Sequence, residues 1–230
     1  MQTVHLSNHH FDLRSPYLRM IGFIAIVATL FLVILAPGWQ QALLSLIAMS
    51  ILCGSGYWLI RKSWIGYTLT PTHFQQHLFH GGWVVKWNNI SQIGICSYEQ
   101  EGWHQPLPWI GIRLKSYEPY LDAICPRIAT EILLRQRALL YLGARQHNQH
   151  HQFEDMVLDS RPFCEHGGKI YRGLMAMLAN RMCYQRRFYG YDVFIASSDL
   201  DRSAEAFVGL TRRYLAAAEP EPLPDHSAEN

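Results

Sequence analysis

The sequence predicts an α+β protein: a two-helix transmembrane hairpin at the N-terminus, then an antiparallel β domain with a helical segment and a closing helix. Three observations predict it. No charged residue stands between Arg19 and Arg61. Residues 64–98 form short runs of β-branched and aromatic residues broken by turn residues. From Pro126 onward apolar residues recur at helical spacing. The composition, 49% hydrophobic and 17% charged with a net charge of +2, excludes a disordered or fibrous chain and offers no global field to draw in nucleic acid, which is not expected as a partner.

Residues 1–19 read as a cytoplasmic N-terminal segment and residues 20–60 as the hairpin. Pro37-Gly38 divides the uncharged stretch into two runs, each close to the ~20 residues a helix needs to cross a bilayer. Proline withholds a backbone donor and glycine accepts tight-turn dihedrals, so the first helix stops there. Arg14 and Arg19 precede the hairpin, Arg61 and Lys62 follow it, and its turn is uncharged. The positive-inside rule then places both termini of a multi-pass protein in the cytoplasm. Tyr17, Trp39, Trp58 and Trp64 fall where interfacial rings anchor. Cys53, Cys96, Cys125, Cys164 and Cys183 form no CxxC pair and read as reduced thiols, and the glycosylation-like Asn89-Ile90-Ser91 lies on the wrong side for modification.

Strands are expected near Ile65–Thr70, His73–Phe79 and Gly82–Trp87, then at 90–98 and 109–115 across a proline-containing loop at 99–108, all in one antiparallel sheet. Pro126 opens a helix carrying Ile128, Ile132, Leu139 and Leu142, with Arg127, Glu131 and Arg135 as a solvated ladder on its other face. Residues 147–152 form a polar loop, and a second helix covers about 168–187, with Tyr171, Leu174, Leu178 and Met182 on one stripe. Tyr191–Ala196 is a strand, residues 198–201 supply N-caps, and Ala204, Phe207, Val208, Thr211, Tyr214 and Leu215 line the last helix, which is expected to pack on the sheet containing Trp83, Val85 and Trp87. Residues 218–230, with three prolines and four acids, read as a disordered tail.

Tyr67-x-Leu69-Thr70 opening a strand after a membrane hairpin, Trp87-x-x-Ile90 and a final strand and helix together resemble membrane-tethered bacterial PH-like domains. More narrowly, Pro108–Leu121, Cys125–Leu140 and Tyr191–Phe207 are similar to domain of unknown function family 2982 (DUF2982) of Gram-negative bacteria. The resemblance implies a PH-like domain over 65–217 with a helical insertion at about 117–190, and it carries no catalytic residue. The turn Thr70-Pro71-Thr72-His73 lacks the cationic side chains with which PH-like domains grip phosphoinositides, so that property is not carried over.

Candidate chemistry is sparse. His80-Gly81-Gly82 and His166-Gly167-Gly168 lack a nucleophile elbow, Cys164, His166, His147, His150 and His151 lack zinc-site spacing, and Asp199 with Asp201 is explained by helix capping. No catalytic residue, cofactor or metal is assigned. The informative stretch is Lys169, Arg172, Arg181, Arg186 and Arg187, with no acid among them and with Met175, Met177 and Met182 interspersed. It is the candidate surface for anionic lipid or a protein partner, and Arg181, Arg186 and Arg187 are expected to face the membrane. The resulting expectation is a binding or scaffolding module. The alternative is a membrane-bound enzyme whose site is assembled from residues distant in sequence.

Overall fold

The computed structural model describes residues 2–8, 16–100, 103–166 and 168–218. It divides into two units, residues 9–64 and the remainder. All but Ala218 of the tail expected at 218–230, and the flanking Arg14, lie outside the described residues.

The first unit contains α1 (Pro16–Leu35) and α2 (Trp39–Lys62), broken where Pro37-Gly38 falls. α2 is long and apolar enough to cross a membrane, while α1 carries a shorter apolar stretch, Arg19–Leu35. No α2 residue is buried. The Thr29 and Ser50 hydroxyls donate to Ala25 and Leu46 carbonyls one turn back, so each satisfies itself on its own helix.

The second unit begins before the hairpin. A strand that the sequence reading left in the N-terminal segment, β1 (Val4–Ser7), pairs antiparallel with β2 (Gly66–Leu69), the first strand after it. Asn8 N–H donates to the Ile65 carbonyl at 3.0 Å, and Ile65 N–H to Asn8 Oδ1 at 3.1 Å. The chain therefore leaves this unit and re-enters it at one stitched point.

β3 (His73–Leu78) and β4 (Gly81–Lys86) complete the four-stranded order β1-β2-β3-β4. A 3-10 turn at Trp87–Asn89 leads into β5 (Ile90–Gln100), which pairs with β6 (Trp103–Leu114), and β6 in turn with β9 (Val193–Ala196). The described residues thus form two larger antiparallel sheets where one was expected. The proline-containing segment 99–108, expected as a loop, is largely strand. Pro106 sits opposite Ser97 next to a register shift, where a missing N–H is tolerated.

Between β6 and β9 lie α3 (Glu118–Ala123), α4 (Pro126–Arg135), α5 (Arg137–Gln146), α6 (Phe153–Leu158), the short ribbon β7 (Phe163–Cys164) with β8 (Ile170–Tyr171), and α7 (Leu174–Tyr189). The single helix expected from Pro126 is broken at Gln136, whose amide is buried and donates to the Phe194 carbonyl of β9. α8 (Ala204–Ala217) closes the core as expected: Phe207 packs edge-on to Tyr67 at 5.7 Å, and Tyr214 stacks on Trp87 at 5.7 Å. Its N-cap is Ser203, whose hydroxyl accepts from Ala206 N–H, and not the expected residues 198–201. Gly94 and Gly111, paired across β5 and β6, are a floor for the Tyr191 ring; a Cβ on Gly111 would lie 2.2 Å from Tyr191 Cγ.

Candidate functional site

The five basic residues do not share one surface. α7 runs between Gly173 and Gly190, both at positive φ, and Gly190 N–H closes it on the Arg186 carbonyl at 2.8 Å. Its inward face carries Leu178 and Met182, as the stripe predicts, but also Arg181 and Gln185. Arg181 is 1% exposed, so the expectation that it faces a membrane does not hold. Arg186 is bound inside: Nε donates to Asp192 Oδ1 at 2.6 Å, Nη2 to Asp192 Oδ2 and to the Leu114 carbonyl, and the guanidinium lies 4.8 Å over the Tyr117 ring. Lys169 pairs with Asp122 at 2.8 Å. Arg172 and Arg187 are exposed, Arg187 above the Tyr184 ring. Two members of the acid-free stretch, Lys169 and Arg186, find their acids elsewhere in the fold.

Those acids are structural anchors. The Asp192 carboxylate is fully buried; besides Arg186 it accepts from Tyr117 Oη at 2.7 Å and Leu114 N–H at 2.8 Å, fastening the closing strand to the end of β6 and to α7. Burial first, then the Asp192 charge, pushes the Tyr117 hydroxyl far above the usual range, so it stays a donor. Glu165 accepts from Ser116 Oγ and Tyr117 N–H at 2.7 Å each, at the start of α3. The Arg161 guanidinium, with Tyr184, holds Asp159 well below the usual carboxylate range. Among the described residues no three His, Cys, Asp or Glu side chains form a group placed to hold a metal. The Cys164 thiol donates to the Gly168 carbonyl, and His147 packs on Phe188.

A cleft of about 310 Å³ opens where β3, β4, β6 and β9 meet α4. Trp83 and Trp109 supply aromatic walls, and Gln76, Glu131, Arg135 and Asp199 the polar ones. Arg135 is shared between Glu131 at 3.3 Å and Asp199 at 3.4 Å, both longer than a tight charge-assisted bond. One guanidinium faces two carboxylates, which leaves the cleft net negative. Burial raises the Asp199 carboxyl above its ordinary value, against the pull of Arg135. Gln76 Nε2 donates to Tyr67 Oη at 3.0 Å, so this part of the wall is fixed. Ser198 Oγ lies 3.4 Å from Asp199, and the lining holds no imidazole to activate it. The arrangement suits a cationic or aromatic group presented from outside. Sequence reasoning missed it because Arg135 and Glu131 read as a solvated ladder and Asp199 as a cap. The only local signal was an acid pair beside a strand end.

The chain belongs to the family described as protein of unknown function (DUF2982), which matches residues 67–217. No curated protein and no solved structure matches it.

Proposed function

We propose that the chain is a membrane-tethered binding module: two transmembrane helices hold a PH-like domain at the cytoplasmic face of a bacterial inner membrane, where it engages a protein partner rather than catalysing a reaction. The observation that carries this reading is the stitch between Asn8 and Ile65. Residues bonded to each other lie on one side of a bilayer, so the chain between them crosses an even number of times. α2 is long enough for one crossing, and α1 supplies the other. Arg19 in the first turn of α1 and Arg61 and Lys62 in the last turn of α2 favour the cytoplasm as that side. A four-stranded and a three-stranded sheet closed by α8 support the PH-like reading, with α3 to α7 as its helical insertion.

The cleft is the surface best suited to a partner, and a protein is favoured over lipid because Arg181 is buried and Arg186 is paired with the buried Asp192. A photo-crosslinking residue at Trp109 in cells is expected to trap a protein, with the adduct lost on Asp199→Lys. An adduct untouched by that change would move the site elsewhere, and lipid adducts formed only from a probe at Arg187 would favour the lipid surface. A reporter active only in the periplasm, fused after Ala218, is expected to stay silent; activity there overturns the topology.

A further inference from the structure

We propose that the helical insertion holds one halide-sized anion, chloride in the cell, beside Arg181 and Gln185 of α7. Arg181 is 1% exposed, yet only Nη2 finds an acceptor, the Val157 carbonyl at 3.4 Å; Nε and Nη1 make no hydrogen bond. One turn further on the same face, Gln185 is 0% exposed, and neither atom of its amide has a partner. Among the described residues no carboxylate lies within ion-pair distance of Arg181. The charge that does bear on it, Arg137, has the same sign.

The surroundings leave no escape by solvation. Leu140, Ala144, Met156 and Phe188 form an apolar cluster between α5, α6 and α7, and Leu178, Ala179 and Met182 on α7 itself are 0–1% exposed. A guanidinium does not shed its charge readily: burial, then Arg137, lowers the Arg181 pKa to about 10, which leaves it protonated at neutral pH. A buried cation without a counter-charge is strongly disfavoured, and buried amides left without partners add to that. A single negative charge accepting from the guanidinium and from Gln185 Nε2 supplies the missing counter-charge and partners the orphaned donors. A monatomic ion fits better than a polyatomic one, whose extra oxygens would find no donor in the apolar cluster.

The test uses the full chain in detergent micelles, with thermal unfolding followed as sodium gluconate is replaced by sodium chloride or bromide at constant ionic strength. A saturable rise in Tm with both halides is expected, since a ligand bound only to the folded form stabilises it by mass action. Arg181→Met should abolish the response. Gln185→Leu keeps the charge but removes the second donor, and should weaken halide affinity at least tenfold even if Arg181→Met does not fold. Crystals soaked in bromide should show anomalous density beside Arg181. A Tm indifferent to halide, a response unchanged in Gln185→Leu, or bromide bound only elsewhere overturns the site. A larger, Arg181-dependent response to sodium phosphate overturns its assignment to a monatomic ion.

Discussion

The sheet core and the helical insertion bury polar side chains in opposite ways. Where the sheets meet α8, each such group finds its partner within the sheets or the helix: Gln76 on Tyr67, Thr211 on the Phe207 carbonyl, Trp87 Nε1 on the Thr70 carbonyl at 2.7 Å. In the insertion, Arg186 depends on a carboxylate delivered by the residue before β9, while Arg181 and Gln185 receive none. The first region is complete by itself. The second pairs Asp159 internally with Arg161 and Tyr184 but is otherwise completed from outside, by the sheet at one end and, on our proposal, by an ion in its interior.

The comparison breaks most readily at its strongest point. Phe207→Ala, which empties a 0% exposed aromatic site between Tyr67 and Phe74, should cost about 4 kcal/mol of stability by denaturant midpoint, with the whole sheet domain affected. A loss below ~1 kcal/mol would mean that α8 is not integral to that core. Asp192→Ala should cost about 3 kcal/mol, because it strands Arg186 and the Tyr117 hydroxyl. Adding Arg186→Met should restore much of the loss; if the double variant is as unstable as the single one, the insertion does not depend on this carboxylate as described. Gly111→Ala should cost roughly 1–3 kcal/mol by driving Tyr191 off its glycine floor, readable as a drop in Tm.

A smaller effect is set by pH. On the β1-β2-β3 sheet, Thr68 Oγ1 lies 3.0 Å from His5 Nδ1 and 2.9 Å from His77 Nε2. Burial, then the neighbouring His5, lowers the His77 pKa below its ordinary 6.5. A depressed histidine favours the fold in its neutral form, so its contribution is intact above about pH 6.5 and is lost as the pH falls toward the folded-state value. Amide exchange at residues 4–7 should therefore quicken at pH 5.5 relative to pH 7.5, and His77→Gln should flatten that dependence. Arg187→Gln, at an exposed site, should change stability by less than ~0.5 kcal/mol.

What the sequence made legible was whatever depends on neighbours along the chain. The charge-free stretch marks the two apolar helices, the β-branched runs mark β2 to β4, and the stripe through Phe207, Thr211 and Tyr214 marks α8. β1 was not legible because Val4-His5-Leu6-Ser7 has too little pattern to declare itself; it is a strand only by virtue of its partner some sixty residues away. The same holds for the cleft, where Arg135 and Asp199 meet across 64 residues. Arg181 misled for a different reason. Its charge implied water, but its position three residues from Leu178 placed it on the inward face of α7.

The pairing of β1 with β2 also fixes an order of events during synthesis. Residues 4–7 leave the ribosome before residues 66–69, so they have nothing to bind until residue 69 follows, and by then both apolar helices have been made. The N-terminal strand must wait, unpaired, while both helices are made. On the two-crossing topology proposed above, a nascent chain whose two helices have turned back on themselves brings Asn8 and Ile65 together and removes most of the closure entropy of the intervening loop, whereas a chain inserted with one crossing keeps the strands on opposite sides. On that topology the β1–β2 hydrogen bonds form only on chains inserted with both crossings, and a chain with one crossing is left with the β2 edge open for quality-control proteases to recognise.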